Sequence, residues 1–292
     1  MNSDQKTRRI LMGLWGLSGF GTLSLELIWM REMALWAGNT IMASMWVTTA
    51  FFAFTALGNL FGGRISGRRA SPLKTYATFE MISGLVAMVC FIASRWLWKN
   101  LDELPSGWFM PGIVTALLVG PASFCAGVAF PCLSEAFVES PQNRTSRAAP
   151  FYAFNLFGAS LGILAGGILL PMWFGISNAF FVSASLQLIG GILALRIVYV
   201  RAPAVPEKSE AAPWGWVLLA ASGLFCLAAQ SMVLVWVRQL LEGSVFAICG
   251  ALTAFIGGLG LGALCVGNLR RRGQTTERLL FLFASGSSVM LL

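Results

Sequence analysis

The sequence predicts an all-α integral membrane protein of about eight or nine transmembrane helices, a six-span unit followed by the start of a second. Three observations predict it. Of 292 residues, 57% are apolar and 11% charged, with a mean hydropathy of +0.75, whereas a soluble domain carries about 25% charged residues. Apolar runs long enough to cross a ~30 Å hydrocarbon core, about 20 residues each, recur along the whole chain. A pattern near the N-terminus returns after residue 213.

The runs fall near 10–36, 41–63, 75–94, 111–138, 148–170, 177–199, 214–238 and 244–268. A ninth, 279–292, would reach only about 21 Å at 1.5 Å per residue, so it reads as a short span or the beginning of one. The first run follows Lys6, Arg8 and Arg9 and resembles a signal peptide in outline. It is too long and lacks a small-residue cleavage site, so it reads as an uncleaved span.

Basic residues set the orientation, because cytoplasmic loops are enriched in Lys and Arg. With a cytoplasmic N-terminus, every Lys and Arg except Arg31, Arg95, Lys99 and Arg238 falls on the cytoplasmic side. The net charge of +8 is thereby explained by topology, and nucleic acid is not expected as a partner. The bilayer is, and the expected location is a prokaryotic inner (plasma) membrane. Trp96, Trp98 and Trp108 are placed in the outer loop after the third span, where aromatic belts form. The six cysteines all lie in spans without a spacing motif and read as small buried apolar residues.

A Pro- and Glu-containing linker, APAVPEKSEAAP (202–213), separates residues 1–201 from residues 214–292. Beyond it the sequence starts again. Ser18-Gly19 aligns with Ser222-Gly223, Thr49-Ala50-Phe51 with Thr253-Ala254-Phe255, Leu57-Gly58 with Leu261-Gly262, and Arg68 with Arg272. An even number of spans in the first unit makes the two repeats parallel. Parallel six-span halves are the plan of major-facilitator transporters, whose substrate sites lie between the halves near the midplane. The second half here is incomplete, with two spans and part of a third.

The repeated residues also carry a resemblance. SGFGTLSLELIWMRE (18–32), LGNLFGGRISGRR (57–69), the span containing Glu80, GVAFPCLSEAF (127–137) and YAFNLFGASLGILAGGILLP (152–171) resemble the transmembrane region of prokaryotic multi-pass spermidine-synthase-like proteins, a fused major-facilitator/spermidine synthase family. The resemblance implies polyamines as the substrate class. It also implies a soluble aminopropyltransferase domain or partner, whose glycine-rich nucleotide site and acidic diamine site are not in these residues. GGLGLGAL (257–264) sits within an apolar span and lacks the preceding soluble strand a dinucleotide fingerprint needs.

Candidate substrate-binding residues are the polar and aromatic groups inside spans. Glu26 heads them, since a carboxylate in hydrocarbon costs roughly 2.5–3.5 kcal/mol and must face a cavity or a partner. It suits a substrate amine or a coupling proton, or else an ion pair with Arg31 or a hydrogen bond to Gln230. Gln230 stands where the second repeat would carry the counterpart of Glu26. Trp29 lies three residues on. Glu80 either lines a cation path or bonds a neighbouring helix; Glu135 reads as interfacial. Tyr152 and Asn155 share a helix face and either bind an amine or join helices. Arg31 and Glu32 point about 100° apart, so one of them faces away from any common cavity.

Gly158, Gly162 and Gly166, and likewise Gly58 and Gly62, form small-residue stripes that let helix backbones approach. With Gly63 and Arg64 they are candidates for helix packing or gating. There is no histidine, no nucleophile–base pair, no metal-ligand cluster and no phosphate loop. Catalysis by these residues alone, a cofactor and a bound metal are therefore not expected. Three functions compete: a transporter-like domain for small organic cations such as polyamines, the membrane anchor of an aminopropyltransferase, and an assembly module that homo-oligomerises through its glycine stripes.

Overall fold

A computed structural model describes residues 3–38, 41–66, 71–100, 109–137, 144–197, 213–241 and 244–272. The linker at 202–212, the ninth stretch at 279–292 and Trp108 lie outside them. The described residues form eight helices: α1 (Ser3–Trp36), α2 (Ile41–Ser66), α3 (Pro72–Asn100), α4 (Met110–Phe137), α5 (Arg144–Leu164), α6 (Leu170–Leu195), α7 (Pro213–Leu240) and α8 (Val245–Arg271). A single π-helical turn, Ala165–Leu169, joins α5 to α6.

Among the described residues, seven stretches are long and apolar enough to cross a membrane, so the protein is a multi-pass membrane protein. The fifth, Ala149–Leu195, has 47 residues and would run roughly 70 Å as one rod. It is instead two antiparallel crossings. Gly158, Gly162 and Gly166 meet Gly16, Phe20 and Ser24 in turn, so α5 runs parallel to α1. Phe180 meets Trp29, Gln187 meets Thr22 and Gly190 meets Leu17, so α6 runs antiparallel to it. The reversal falls at Gly175, whose φ of 74° and ψ of 167° lie in a region only glycine adopts without strain.

Contacts of the same kind make α2 parallel to α4 and α3 antiparallel to α6. Direction therefore alternates from helix to helix, and the described basic side chains divide accordingly. Arg8, Arg9, Arg64, Lys74, Arg196 and Arg272 gather at the end where α1 begins; Arg31, Arg95, Lys99 and Arg238 gather at the other.

Aliphatic–aliphatic attraction between helices gains little in lipid, so close backbone packing has to hold the bundle. The glycines supply it. Gly58 lies against Phe124 and Gly127, and Gly62 against Val128 and Pro131, along the α2–α4 crossing; Gly63, one residue on, faces open space, and Arg64 is exposed. The hydroxyl of Ser24 donates to the Gly162 carbonyl at 2.7 Å, a second tie between α1 and α5.

Three sequence expectations need correction. The third helix continues past residue 94 to Asn100, so Trp96 and Trp98 are helical and not in a loop. Trp98 stacks on Trp36 at 3.9 Å and Arg95 bonds Glu32; these contacts with α1 and its end reward the extra turns. Among the cysteines, Cys132 and Cys249 are buried, but Cys265 is exposed on α8. Glu26 forms no ion pair with Arg31: its carboxylate is bonded by the Thr48 hydroxyl, and the carboxylate on this part of α1 that does form a salt bridge is Glu32, with Arg95 at 2.8 Å.

Candidate functional site

In the apolar middle of helix α1, Ser18, Thr22 and Glu26 recur at every fourth residue. That spacing keeps all three on one face, and the face turns inward, leaving Glu26 2% exposed. Helix α3 repeats the arrangement with Tyr76, Glu80 and Ser83, each at most 1% exposed.

Two cavities lie along the seam between α1–α2 and α7–α8, and a third, smaller pocket lies beside it among α1, α2, α3, α4 and α6. The largest, about 430 Å³, lies toward the basic end. Trp15, Ser18 and Thr22 of α1 line it, with Phe51, Phe52 and Asn59 of α2, Phe130 of α4, Tyr152 and Asn155 of α5, and Cys226 and Gln230 of α7. Toward the opposite end is a cavity of about 140 Å³ bounded by Met30, Ser44, Thr48, Ser231 and Arg238; Arg238 donates to the Ser44 hydroxyl at 3.3 Å. At the level of α1 between these two, but enclosed by α1, α2, α3, α4 and α6, is the pocket of about 20 Å³, lined by Thr22, Glu26, Trp29, Ser83, Ser123 and Gln187. Thr22, Phe51 and Ala126 are walls of both this pocket and the largest cavity.

Glu26 thus lines a narrow neck beside the seam, inside the first six helices. The Thr48 hydroxyl, which also faces the 140 Å³ cavity, hydrogen-bonds its carboxylate. The other oxygen, Oε2, is buried without a partner. Trp29 is held edge-on between Phe91 and Phe180, with ring centroids 5.8 and 5.3 Å away, which fixes its ring beside the carboxylate.

The largest cavity carries no ionised side chain on its wall. Its lining is aromatic and amide, a set that receives an organic cation through ring faces and carbonyl oxygens. Asn155 is partly committed, since its Nδ2 donates to the Trp15 carbonyl at 2.9 Å. Asn59 Oδ1 and Trp15 Nε1 are buried without hydrogen-bond partners, leaving one acceptor and one donor for a guest.

The structure therefore brings Glu26 and Trp29 to the neck, and Tyr152, Asn155 and Gln230 to the adjoining cavity. Glu80 lines none of the three. It is buried, with the Ser18 hydroxyl beside it, and neither of its oxygens forms a well-directed hydrogen bond. Thr22, Ser83 and Ser123 were not singled out from sequence, although the four-residue spacing of Thr22 and Glu26 was visible there. No protein-family profile matches the chain, and comparison with curated proteins gives no significant match.

Proposed function

We propose that this protein moves small organic cations across its membrane, with the seam between α1–α2 and α7–α8 as the path. The observation that carries the reading is one carboxylate without an ion pair, Glu26, in a neck that shares Thr22, Phe51 and Ala126 with the 430 Å³ cavity and is bonded by Thr48 from the wall of the 140 Å³ cavity. A cationic guest in the 430 Å³ cavity would rest on the faces of Trp15, Phe51 and Tyr152 and meet Asn155 and Gln230. The buried charge at the neck supplies the attraction that the cavity wall lacks. Polyamines are the substrate class implied by the resemblance to spermidine-synthase-like membrane regions. On this reading the six-span unit and the returning pattern after residue 213 are the first half and the beginning of a second half of a major-facilitator-like architecture.

The test is uptake of radiolabelled spermidine into proteoliposomes. Wild type is expected to accumulate label, and Glu26→Gln to lose at least about tenfold in rate, since an interaction with a charged group is worth roughly 1.5–3 kcal/mol and 1.4 kcal/mol is tenfold. Absence of uptake by correctly folded wild type would reject the reading. Full uptake by the variant would remove Glu26 from it.

The same reading places the N-terminus in the cytoplasm. In a cysteine-free background, a membrane-impermeant maleimide added to intact cells is expected to label Lys99→Cys and spare Arg196→Cys. The reverse pattern would invert the orientation.

A further inference from the structure

The pocket at Glu26 has a property that its size alone does not convey: nearly every polar group on its wall is an acceptor. The Thr22 hydroxyl gives its hydrogen to the Ser18 carbonyl at 2.8 Å. Ser83 gives its hydrogen to the Ala122 carbonyl at 2.9 Å, a shorter contact than its 3.4 Å approach to Gln187 Oε1. Ser123 gives its hydrogen to the Val119 carbonyl at 2.9 Å. Two donor groups remain: the Gln187 amide, which is directed to Thr22 Oγ1 at 2.9 Å, and the indole N–H of Trp29. What is left facing the space is the unpartnered Glu26 Oε2, the lone pairs of three hydroxyls and the Gln187 carbonyl oxygen.

We propose that this pocket is a sodium site, with Glu26 as its charged ligand and Thr22, Ser83, Ser123 and Gln187 supplying neutral oxygens. A hard cation takes oxygen ligands, and a wall dominated by acceptor oxygens suits one. Charge selects the valence: a single carboxylate neutralises a monovalent ion, whereas a divalent ion would leave net positive charge buried among apolar helices. Volume selects the size. About 20 Å³ admits one water-sized body and excludes an alkylammonium chain.

The site stands whether or not the protein transports polyamines; only its consequence rests on that reading. One carboxylate balances one charge at a time. Sodium at the neck and the ammonium group of a guest entering from the large cavity therefore exclude each other, which makes sodium the exchanged ion.

The experiment is thermal unfolding and ²²Na⁺ equilibrium binding on purified full-length protein in detergent, without any organic amine. Sodium chloride, potassium chloride and N-methylglucamine chloride are compared at matched ionic strength and fixed pH. The expected result is a Tm rise that saturates with sodium, with ²²Na⁺ bound near one per chain. Ser83→Ala is expected to weaken binding about tenfold, the effect of losing one oxygen contact to a charged partner, and Glu26→Gln to abolish it. Should Glu26→Gln not fold, Ser83→Ala and Ser123→Ala carry the same test from the neutral side of the pocket. Equal responses to all three salts with no bound ²²Na⁺ would overturn the proposal, as would sodium binding unchanged in every variant. Failure of spermidine uptake with sodium binding intact would reject the transport reading and leave the site standing.

Discussion

Replacing Gly162 with leucine is expected to prevent the bundle from assembling, while Gly63→Ala, a change of the same residue type, leaves it intact. A Cβ built on Gly162 would lie 2.8 Å from both the carbonyl carbon and the Cα of Phe20 and closer still to its oxygen. All three are backbone atoms of α1 and cannot swing aside. Gly158 meets the backbone of Gly16 in the same way, and Gly166 that of Ser24, so the whole α1–α5 contact would have to open to admit one side chain. Overpacking costs roughly 1–3 kcal/mol for added methylenes, and Gly162→Ala alone should reach the upper part of that range. The Gly162→Leu variant goes further, because separating α1 from α5 also breaks the Ser24 hydroxyl bond to the Gly162 carbonyl. A Cβ at Gly63 meets nothing within 4 Å, and alanine favours helix over glycine by up to about 1 kcal/mol. Size-exclusion profiles and thermal unfolding in detergent would decide the matter. A monodisperse Gly162→Leu protein with wild-type Tm would show that the α1–α5 contact does not hold the fold.

What the sequence made legible was one-dimensional. Each of the eight apolar runs within the described residues became a helix because length and hydropathy suffice for that, and the charge asymmetry between loops reappears as two ends of the bundle. The glycine stripes were readable because spacing by four puts residues on one face without knowledge of what that face meets. The partners were not readable. Nothing in SGFGTLSLELIWMRE announces that Thr22 will meet Gln187 of α6, which itself approaches Ser83 of α3. These contacts join positions far apart in the chain.

The boundary of α3 shows the same limit from another side. Hydropathy falls after residue 94, where Arg95, Lys99 and Asn100 begin, so a reading by apolar length stops the helix there. The helix continues because Arg95 and Trp98 find tertiary partners in Glu32 and Trp36. Sequence also set Arg31 beside Glu32 and Glu26 as the nearest basic neighbour. A helix turns adjacent residues about 100° apart, and the true partner of Glu32 lies 63 positions on.

That partner supplies the second large effect. Glu32 is 1% exposed and its Oε1 accepts from Arg95 Nη2 at 2.8 Å; Arg95 also donates to the Ser177 hydroxyl at 2.9 Å, joining α1, α3 and α6 at the end opposite the basic cluster. Removing one member of a buried ion pair typically costs 3–5 kcal/mol, because the remaining charge is stranded. Here the arginine side chain is 45% exposed, so water can reach part of the pair and screen it. Arg95→Met should therefore destabilise by about 3 kcal/mol or somewhat less. The reason is the stranded carboxylate and not the missing arginine, and the two explanations make opposite predictions for a second change. If Glu32 carries the cost, Arg95→Met combined with Glu32→Gln recovers most of the lost stability, since a neutral amide at this position has far less desolvation to bear. If instead the guanidinium contributes mainly through its stacking over the Phe91 ring at 5.2 Å and its bond to Ser177, the double variant is no more stable than Arg95→Met alone. Thermal unfolding of the two single variants and the double one separates these outcomes.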